Sequence, residues 1–426
     1  MKIFCSGIGG IGLSAYASHM RERGHVVCGS DGVDSALLDV LRSEGIDISL
    51  TQSGSSIPED TELFVYSEAI PEDSPERKEA KRREIRRISY FQAIGELTSG
   101  TNLIAVCGTH GKSSTTAMAA SVLVEAGLDP NIIVGTKLPL LEGRNWRRGL
   151  SGLWVVEACE YRRSFLHLKP KTILLTNADG DHFDYFKDAS DYRSAFIEFV
   201  SGLPDTGTII AHGKDDQSMA IVRTAKREFV DADLKMMPIL SVPGEHMRKN
   251  AQLVAALADT LGIPDSIAIK ALKSYGGSWR RMEVKGMIRG ITIIDDYAHH
   301  PLEIKATLAA MKNAYPQRRI VAVFQPHTHS RTLKLWNDFA RAFDDANAVM
   351  LMDIYGARAE KDTKKADVAS LAADISKCSG KNCSVLGSIS NAVQVLCSGA
   401  AKPGDVVVVM GAGDSTKLSD ALMKNL

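Results

Sequence analysis

The feature that most constrains this chain is an apolar run at 103–107 that ends in Gly108-Thr109-His110-Gly111-Lys112-Ser113 and passes at once into an apolar helical period at 114–126. Small residues at such a turn let backbone N–H groups converge on phosphate oxygens, and the helix starting there adds a favourable dipole. Lys112 offers a cation for the β- and γ-phosphates, and the Ser113 hydroxyl is a ligand for Mg²⁺. One position departs from the general phosphate loop: Val106 stands where that pattern has glycine. The turn predicts an enzyme that uses ATP.

Two later stretches carry matching chemistry. Trp154-Val155-Val156-Glu157-Ala158-Cys159-Glu160 puts acids at the end of an apolar strand. A carboxylate there is placed to hold the Mg²⁺ that bridges nucleotide oxygens. The run 172–176 leads into Asn177-Ala178-Asp179-Gly180-Asp181-His182, again polar ligands at a strand end. Alone, Glu157 or His182 would more often be a cap or loop residue; beside the phosphate loop, both become metal-ligand candidates.

The unit of apolar strand, glycine or polar turn and helix recurs in three blocks, which predicts parallel sheets with crossover helices. The fold class is therefore α/β, with boundaries at about residues 99 and 283 dividing 1–99, 100–283 and 284–426. In the first block Gly7-Ile8-Gly9-Gly10-Ile11-Gly12 follows a strand and opens a helix, with Asp31 where a ribose-binding acid belongs. This fingerprint predicts a diphosphate on a helix N-terminus and leaves NAD and a nucleotide sugar open. The charged run 76–87 is expected as a solvated helix face. The third block carries Asp295-Asp296-Tyr297-Ala298-His299-His300-Pro301 and Gln325-Pro326-His327-Thr328-His329-Ser330-Arg331-Thr332. No acids or thiols accompany His327 and His329 at metal spacing, so cationic loops that orient carboxylates and phosphates are expected there.

Composition narrows the class. At 426 residues, 44% hydrophobic and 24% charged, the chain has the make-up of a soluble multidomain protein. Its 51 basic and 51 acidic side chains cancel, which argues against nucleic acid or a membrane surface as partner. Seven scattered cysteines and a start that runs directly into a strand predict a cytoplasmic enzyme.

Together the motifs resemble the Mur ligases of peptidoglycan synthesis across the whole chain. The resemblance rests on GIGGIG at 7–12, SEAIPEDSPE at 67–76, GTHGKSSTT at 108–116, EACEYRRSFL at 157–166, TNADGDHFDYF at 176–186, DDYAHHP at 295–301, QPHTHSRT at 325–332 and MGAGD at 410–414. It implies a Rossmann-like UDP-binding domain, a central P-loop ATPase-like domain with a mostly parallel sheet, and a C-terminal Rossmann-like domain. The activity implied is ATP-dependent joining of L-alanine to the lactyl carboxylate of UDP-N-acetylmuramate through an acyl phosphate, with two Mg²⁺ ions. A tripeptide-recycling ligase of the same family is the alternative, and an NAD-dependent oxidoreductase a remote one. By position, Gly108 to Ser114 would surround the ATP phosphates, and Ser113, Glu157 and His182 would hold magnesium. Asn250 would approach the adenine, and Arg281 and Asp296 the γ-phosphate and ribose. Gly7, Gly9, Gly10, Ile11, Gly12, Asp31, Ser67 and Ala69 would bind the UDP-sugar. His299, His327 and Arg331 would face the acceptor and amino acid, with the general base open among His182, His299 and His327. Two features depart from the family pattern: Met247 follows His246 where asparagine is usual, and about 30 residues separate Asp215 from Gly244 where relatives carry a longer β-rich insert. A monomer and a homodimer are both compatible with the sequence.

Overall fold

The computed structural model of the chain describes residues 1–182, 185–356 and 365–426. It forms two compact units: Met1–Pro238 with Ala251–Leu272, and Ile239–Asn250 with Lys273–Leu426. Among the described residues no helix is long and apolar enough to cross a membrane.

The first unit holds two sheets. β1 (Lys2–Ser6), β2 (Val26–Ser30), β3 (Asp47–Ser49), β4 (Leu63–Tyr66) and β5 (Arg86–Ser89) are all parallel, in the order β3-β2-β1-β4-β5. Helices α1 (Ile11–Glu22), α2 (Ala36–Ser43), α3 (Pro75–Arg82) and α4 (Tyr90–Leu97) connect or follow these strands. The order reverses between β1 and β4, and ligand crevices in open sheets lie at such a reversal. Gly7 and Ser67 follow those two strands directly.

The second sheet follows the order β12-β11-β10-β6-β9-β7-β8. It is built from β6 (Asn102–Cys107), β7 (Asn131–Leu138), β8 (Arg144–Arg147), β9 (Leu153–Glu157), β10 (Thr172–Leu175), β11 (Thr208–Ala211) and β12 (Val230–Asp231), with α5 (Lys112–Glu125), α6 (Ala189–Ser201) and α7 (Asp216–Thr224) between strands. Only β7 with β8 pairs antiparallel. Strands β10, β6 and β9 lie side by side at the centre, so their carboxyl ends bring together the loops that start at Thr176, Gly108 and Ala158. One continuous core runs under both sheets. Across it His19 of α1 meets Trp146 and Trp154 edge-on, with ring centroids 5.8 and 5.0 Å away. Asn145 Nδ2 of β8 donates to the Ile11 carbonyl at 2.5 Å.

Helix α8 (Glu245–Thr260) and α9 (Asp265–Ser274) precede the third sheet. That sheet, in the second unit, has the order β13-β14-β18-β15-β16-β17. Its strands are β13 (Glu283–Ile288), β14 (Ile291–Asp296), β15 (Ile320–Phe324), β16 (Ala348–Met352), β17 (Cys383–Gly387) and β18 (Val406–Met410). Only β13 pairs antiparallel. Helices α10 (Pro301–Ala314), α11 (His329–Lys334), α12 (Trp336–Ala340), α13 (Val368–Ser379), α14 (Ile389–Val395) and α15 (Thr416–Asn425) complete the unit. Adjacent β14, β18 and β15 end at Asp296, Met410 and Phe324, which gathers the two histidine-bearing loops and the Gly411–Asp414 turn along one edge.

The α/β class and the mostly parallel sheets match the expectation. The charged run 76–87 does not. Helix α3 ends at Arg82, Arg86 begins β5, and Glu76 is buried at 1% exposure. Charge density hid a strand whose inward residues, Ile88 and Ser89, are few. Helix α5 also starts two residues early, at Lys112, because Gly111 takes φ +81° and lets the chain enter the helix at once.

Candidate active site

The turn after β6 folds as it does because its neighbours leave no room for anything larger. Gly108 has φ +138°, and a Cβ there would strike Thr176 Oγ1 and the Asn177 backbone. Thr176 and Asn177, at the end of β10, grip the loop. Asn177 Oδ1 accepts from the His110 amide at 2.9 Å, while Thr176 Oγ1 and Asn177 Nδ2 donate to the His110 carbonyl at 2.6 and 3.1 Å. Lys112 and Ser113 then fall in the first turn of α5, where the helix dipole favours an anion.

Lys112 Nζ donates to the Gly108 and Thr109 carbonyls at 2.5 and 3.0 Å and pairs with Glu160 at 3.0 Å. Burial alone would depress the ammonium, but Glu160 beside it holds its pKa above the ordinary lysine value. Ser113 Oγ donates to Glu157 Oε1 at 2.9 Å, and Glu157 Oε2 accepts from the Gly135 amide at 2.7 Å. A side chain at Gly135 would press on that carboxylate, since its Cβ would lie 2.8 Å from Oε2. His182, at φ +55°, stacks obliquely on Tyr161 with centroids 4.9 Å apart and turns Nε2 toward Glu160 Oε1 at 3.5 Å.

Lys112, Ser113, Glu157 and His182 are thus gathered at three neighbouring strand ends. Among the described residues no three His, Cys, Asp or Glu side chains converge as a closed metal cage. A hydroxyl against a carboxylate still suits Mg²⁺, which keeps most of its shell as water and phosphate oxygens. The residues present therefore fit that ion. Three participants had no role of their own in the sequence reading: Glu160, Asn177 and Tyr192. Tyr192 OH lies 2.8 Å from Thr109 Oγ1 and 3.3 Å from Glu160 Oε1, and burial raises its pKa. Nothing in the spacing of Tyr192 could announce this, since it comes from α6, whereas Asn177 and Glu160 stood inside motifs already singled out. Phe183 and Asp184 of the 176–186 motif lie outside the described residues.

In the first block the Gly7 and Ile8 amides donate to the Ser30 carbonyl, and the Gly9 amide donates to Asp31 Oδ2 at 2.8 Å. Gly10 and Ile11 lead straight into α1, and a side chain at Gly12 would collide with Tyr90. Ser67 Oγ accepts from the Ala69 amide at 3.3 Å, and Gly7 packs against Ser67. Asp31 and Ser67 therefore border the loop, and Ala69 is tied to Ser67. Behind it, Ser6 Oγ donates to buried Glu76 at 2.5 Å.

In the second unit, Arg281 lies over the Tyr297 ring at 4.9 Å. Asp296 turns both oxygens onto backbone amides, Oδ2 accepting from Met282 and Oδ1 from Ala298, each at 2.7 Å. Burial raises its pKa to about 6, against the opposing pull of Arg281. The structure therefore makes Asp296 a brace for two turns, a role its place after a strand did not announce. His299 Nδ1 lies 3.0 Å from the Tyr297 carbonyl and 3.3 Å from Glu303. His327, whose ring is 6.0 Å from that of His299, meets Arg331 Nη1 at 3.0 Å through Nδ1. Those three residues share one edge, and Asn250 is buried in α8.

Comparison with known proteins agrees with this layout. Residues 2–101 match the model for the Mur ligase family catalytic domain, 106–236 the Mur ligase middle domain, and 280–413 the Mur ligase glutamate ligase domain. The UDP-N-acetylmuramate–L-alanine ligase of Clostridium acetobutylicum is 38% identical over 99% of this chain and 97% of its own. That of Clostridium kluyveri is 39% identical over 97% and 96%. Among solved structures, the UDP-N-acetylmuramate–alanine ligase of Thermotoga maritima superposes with a TM-score of 0.83 at 27% identity, covering 100% of this chain and 98% of that one. A murein peptide ligase from Psychrobacter arcticus gives 0.73 at 25%, with the same coverage. With three domain models matched in order and relatives this similar over nearly their full length, the chain belongs to the Mur ligase family.

Proposed function

We propose that the protein joins L-alanine to the lactyl carboxylate of UDP-N-acetylmuramate, with ATP converted to ADP and phosphate, as a step of peptidoglycan precursor synthesis. The observation that carries the ATP chemistry is the meeting of the Lys112 ammonium, the Ser113 hydroxyl and the Glu157 carboxylate at the end of the central sheet. The choice of alanine over a ready-made tripeptide follows the relatives that are 35–39% identical along nearly the whole chain, all of which bear the alanine-adding name.

A carboxylate is a poor acyl donor because its leaving group would be oxide. Transfer of the γ-phosphoryl to the lactyl carboxylate gives an acyl phosphate, which the alanine amine attacks, and the tetrahedral oxyanion collapses to amide and phosphate. The first step brings two anions together, so charge compensation dominates its barrier. Lys112 leaves its carbonyl partners for the β- and γ-phosphates, and the amides that open α5 hold the phosphate oxygens. Ser113, Glu157 and His182 would hold Mg²⁺, which when bound supplies further positive charge at the transferring phosphoryl group. Arg281 is assigned to the γ-phosphate, and His327 with Arg331 to the amino-acid carboxylate. Asp31 and the helix-opening amides of Ile11 and Gly12 are assigned to the sugar nucleotide, with Gly7 to Gly10 shaping the turn beneath it. His299, with Glu303 beside it, is suited to take the proton from the amine.

The test is phosphate release from ATP with UDP-N-acetylmuramate, comparing L-alanine, glycine, L-serine and the tripeptide. Release with L-alanine is expected; release with the tripeptide alone would overturn the subtype.

A further inference from the structure

Glu160 is fully buried, at 0% exposure, and lies three residues past the carboxylate assigned to magnesium. A buried carboxylate persists only with partners that hold it in place. Its partners come from three separate elements. Lys112 Nζ, from the phosphate loop, lies 3.0 Å from Oε2 and 3.2 Å from Oε1. His182 Nε2, from the loop after β10, lies 3.5 Å from Oε1, and Tyr192 OH of α6 lies 3.3 Å from the same oxygen. The residue is itself fixed by the turn that follows. Arg162 and Arg163 hold φ of +54° and +56°, and Arg163 is clamped to α6 through Asp191 at 2.7 Å and Glu198 at 3.0 Å.

Lys112 cannot meet two phosphates while it fills the loop carbonyls and pairs with Glu160. The cation must therefore move when a triphosphate arrives, and the carboxylate left behind must keep another partner. His182 supplies it. With its proton on Nε2, an imidazole facing a carboxylate presents Nδ1 to the other side, the arrangement by which a second carboxylate orients a metal-binding histidine. We propose that Glu160 is a positioning residue that stores Lys112 in the empty loop and, once the nucleotide has drawn the lysine away, fixes the ring of His182 by accepting its Nε2–H. The inference rests on the roles assigned above to Lys112 and His182.

Two effects of opposite sign distinguish this from simple structural support. In Glu160→Gln the lysine has no carboxylate to leave, so ADP and a non-hydrolysable ATP analogue are expected to bind about tenfold more tightly in calorimetry, one charged pair's worth. The histidine loses its charged acceptor, so Mn²⁺ affinity in the binary complex, followed by paramagnetic resonance, is expected to fall about tenfold, within the range for outer-shell partners. Turnover falls while the KM for ATP falls with it. Nucleotide and Mn²⁺ binding that weaken together, or that both stay unchanged, would overturn the proposal. Should Glu160→Gln fail to fold, Lys112→Met/Glu160→Gln removes both buried charges and is expected to fold and bind Mn²⁺ about tenfold more weakly than Lys112→Met alone. Equal Mn²⁺ affinity in those two variants would overturn it as well. Failure of the wild-type enzyme to release phosphate with L-alanine would instead strike the reaction assigned above, because these binding measurements involve neither the sugar nor the amino acid.

Discussion

The two glycine loops of the first unit sit on the same plan, a parallel strand, a turn and a helix, yet each handles its buried acid differently. Behind the loop at 7–12, Glu76 has a serine hydroxyl for partner, and burial raises its pKa. Behind the loop at 108–113, Glu160 faces the Lys112 ammonium. The first loop therefore offers a helix N-terminus and one bordering acid, Asp31, with the amides of Gly7 to Gly10 spent within the turn. The second loop stores separated charges that can be rearranged as a phosphoryl group moves. The difference teaches that a shared strand–turn–helix frame does not set the task; the charges placed beneath it do.

That contrast can be broken most forcefully at Lys112. Lys112→Ala is expected to lower turnover by about a thousandfold and to leave UDP-N-acetylmuramate affinity in calorimetry unchanged. A matching loss of sugar-nucleotide binding would show that the two loops are not separate in task. Next in size, Glu157→Gln leaves Ser113 facing an amide. Turnover should fall by about a hundredfold, and the Mg²⁺ concentration for half-maximal rate should rise; an unchanged magnesium titration would remove Glu157 from the metal site. In the first loop, Asp31→Asn weakens the acceptor of the Gly9 amide. The KM for the sugar nucleotide should rise about tenfold, with kcat intact, and a fall in kcat at constant KM would contradict a purely binding loop.

The smallest effect concerns Glu76. Its folded pKa lies above the ordinary glutamate value of 4.5, with burial as the largest cause and nearby Asp31 pushing the same way. The folded state then holds the proton longer than the unfolded chain does. The stability contributed is full below that ordinary value and is lost as pH rises through the folded value. Urea midpoints of the wild type should therefore decline relative to Glu76→Gln as pH is raised from 4.5 toward neutral. A relative increase would mean that the Glu76 carboxylate is held as an anion, and the contrast between the loops would collapse.

Much of this was legible in the chain because each chemical group sits immediately after an apolar strand, and strand ends are where such sheets meet ligands. Lys112, Ser113, Glu157, His182 and the two histidine loops all obey that rule. What sequence did not disclose depends on contacts between distant elements. Tyr192 enters the site from a helix whose pattern speaks only of burial. Asp296 sits at a strand end as expected, yet both its oxygens are taken by backbone amides, a use that only the turns at 282 and 298 could reveal. The run 76–87 misled because charge was read as exposure, although Glu76 lies inside and the chain turns back into a strand at Arg86. The short span between Asp215 and Gly244 holds α7, the two-residue edge strand β12 and a single 3-10 turn, Ala232–Leu234, before α8 begins.

The seam between α1 and the β7–β8 hairpin has a practical consequence for anyone dividing the gene. His19 is buried against Trp146 and Trp154, and the Ile11 carbonyl is held by Asn145. A fragment cut near residue 100 would bare that aromatic seam on both pieces and take the Asn145 donor from the Ile11 carbonyl, leaving it only its own helix, where the Ser14 hydroxyl also donates. Expressed alone, either half should be sticky and prone to aggregate, so the first sheet is better borrowed for engineering together with the central sheet than as its own first hundred residues.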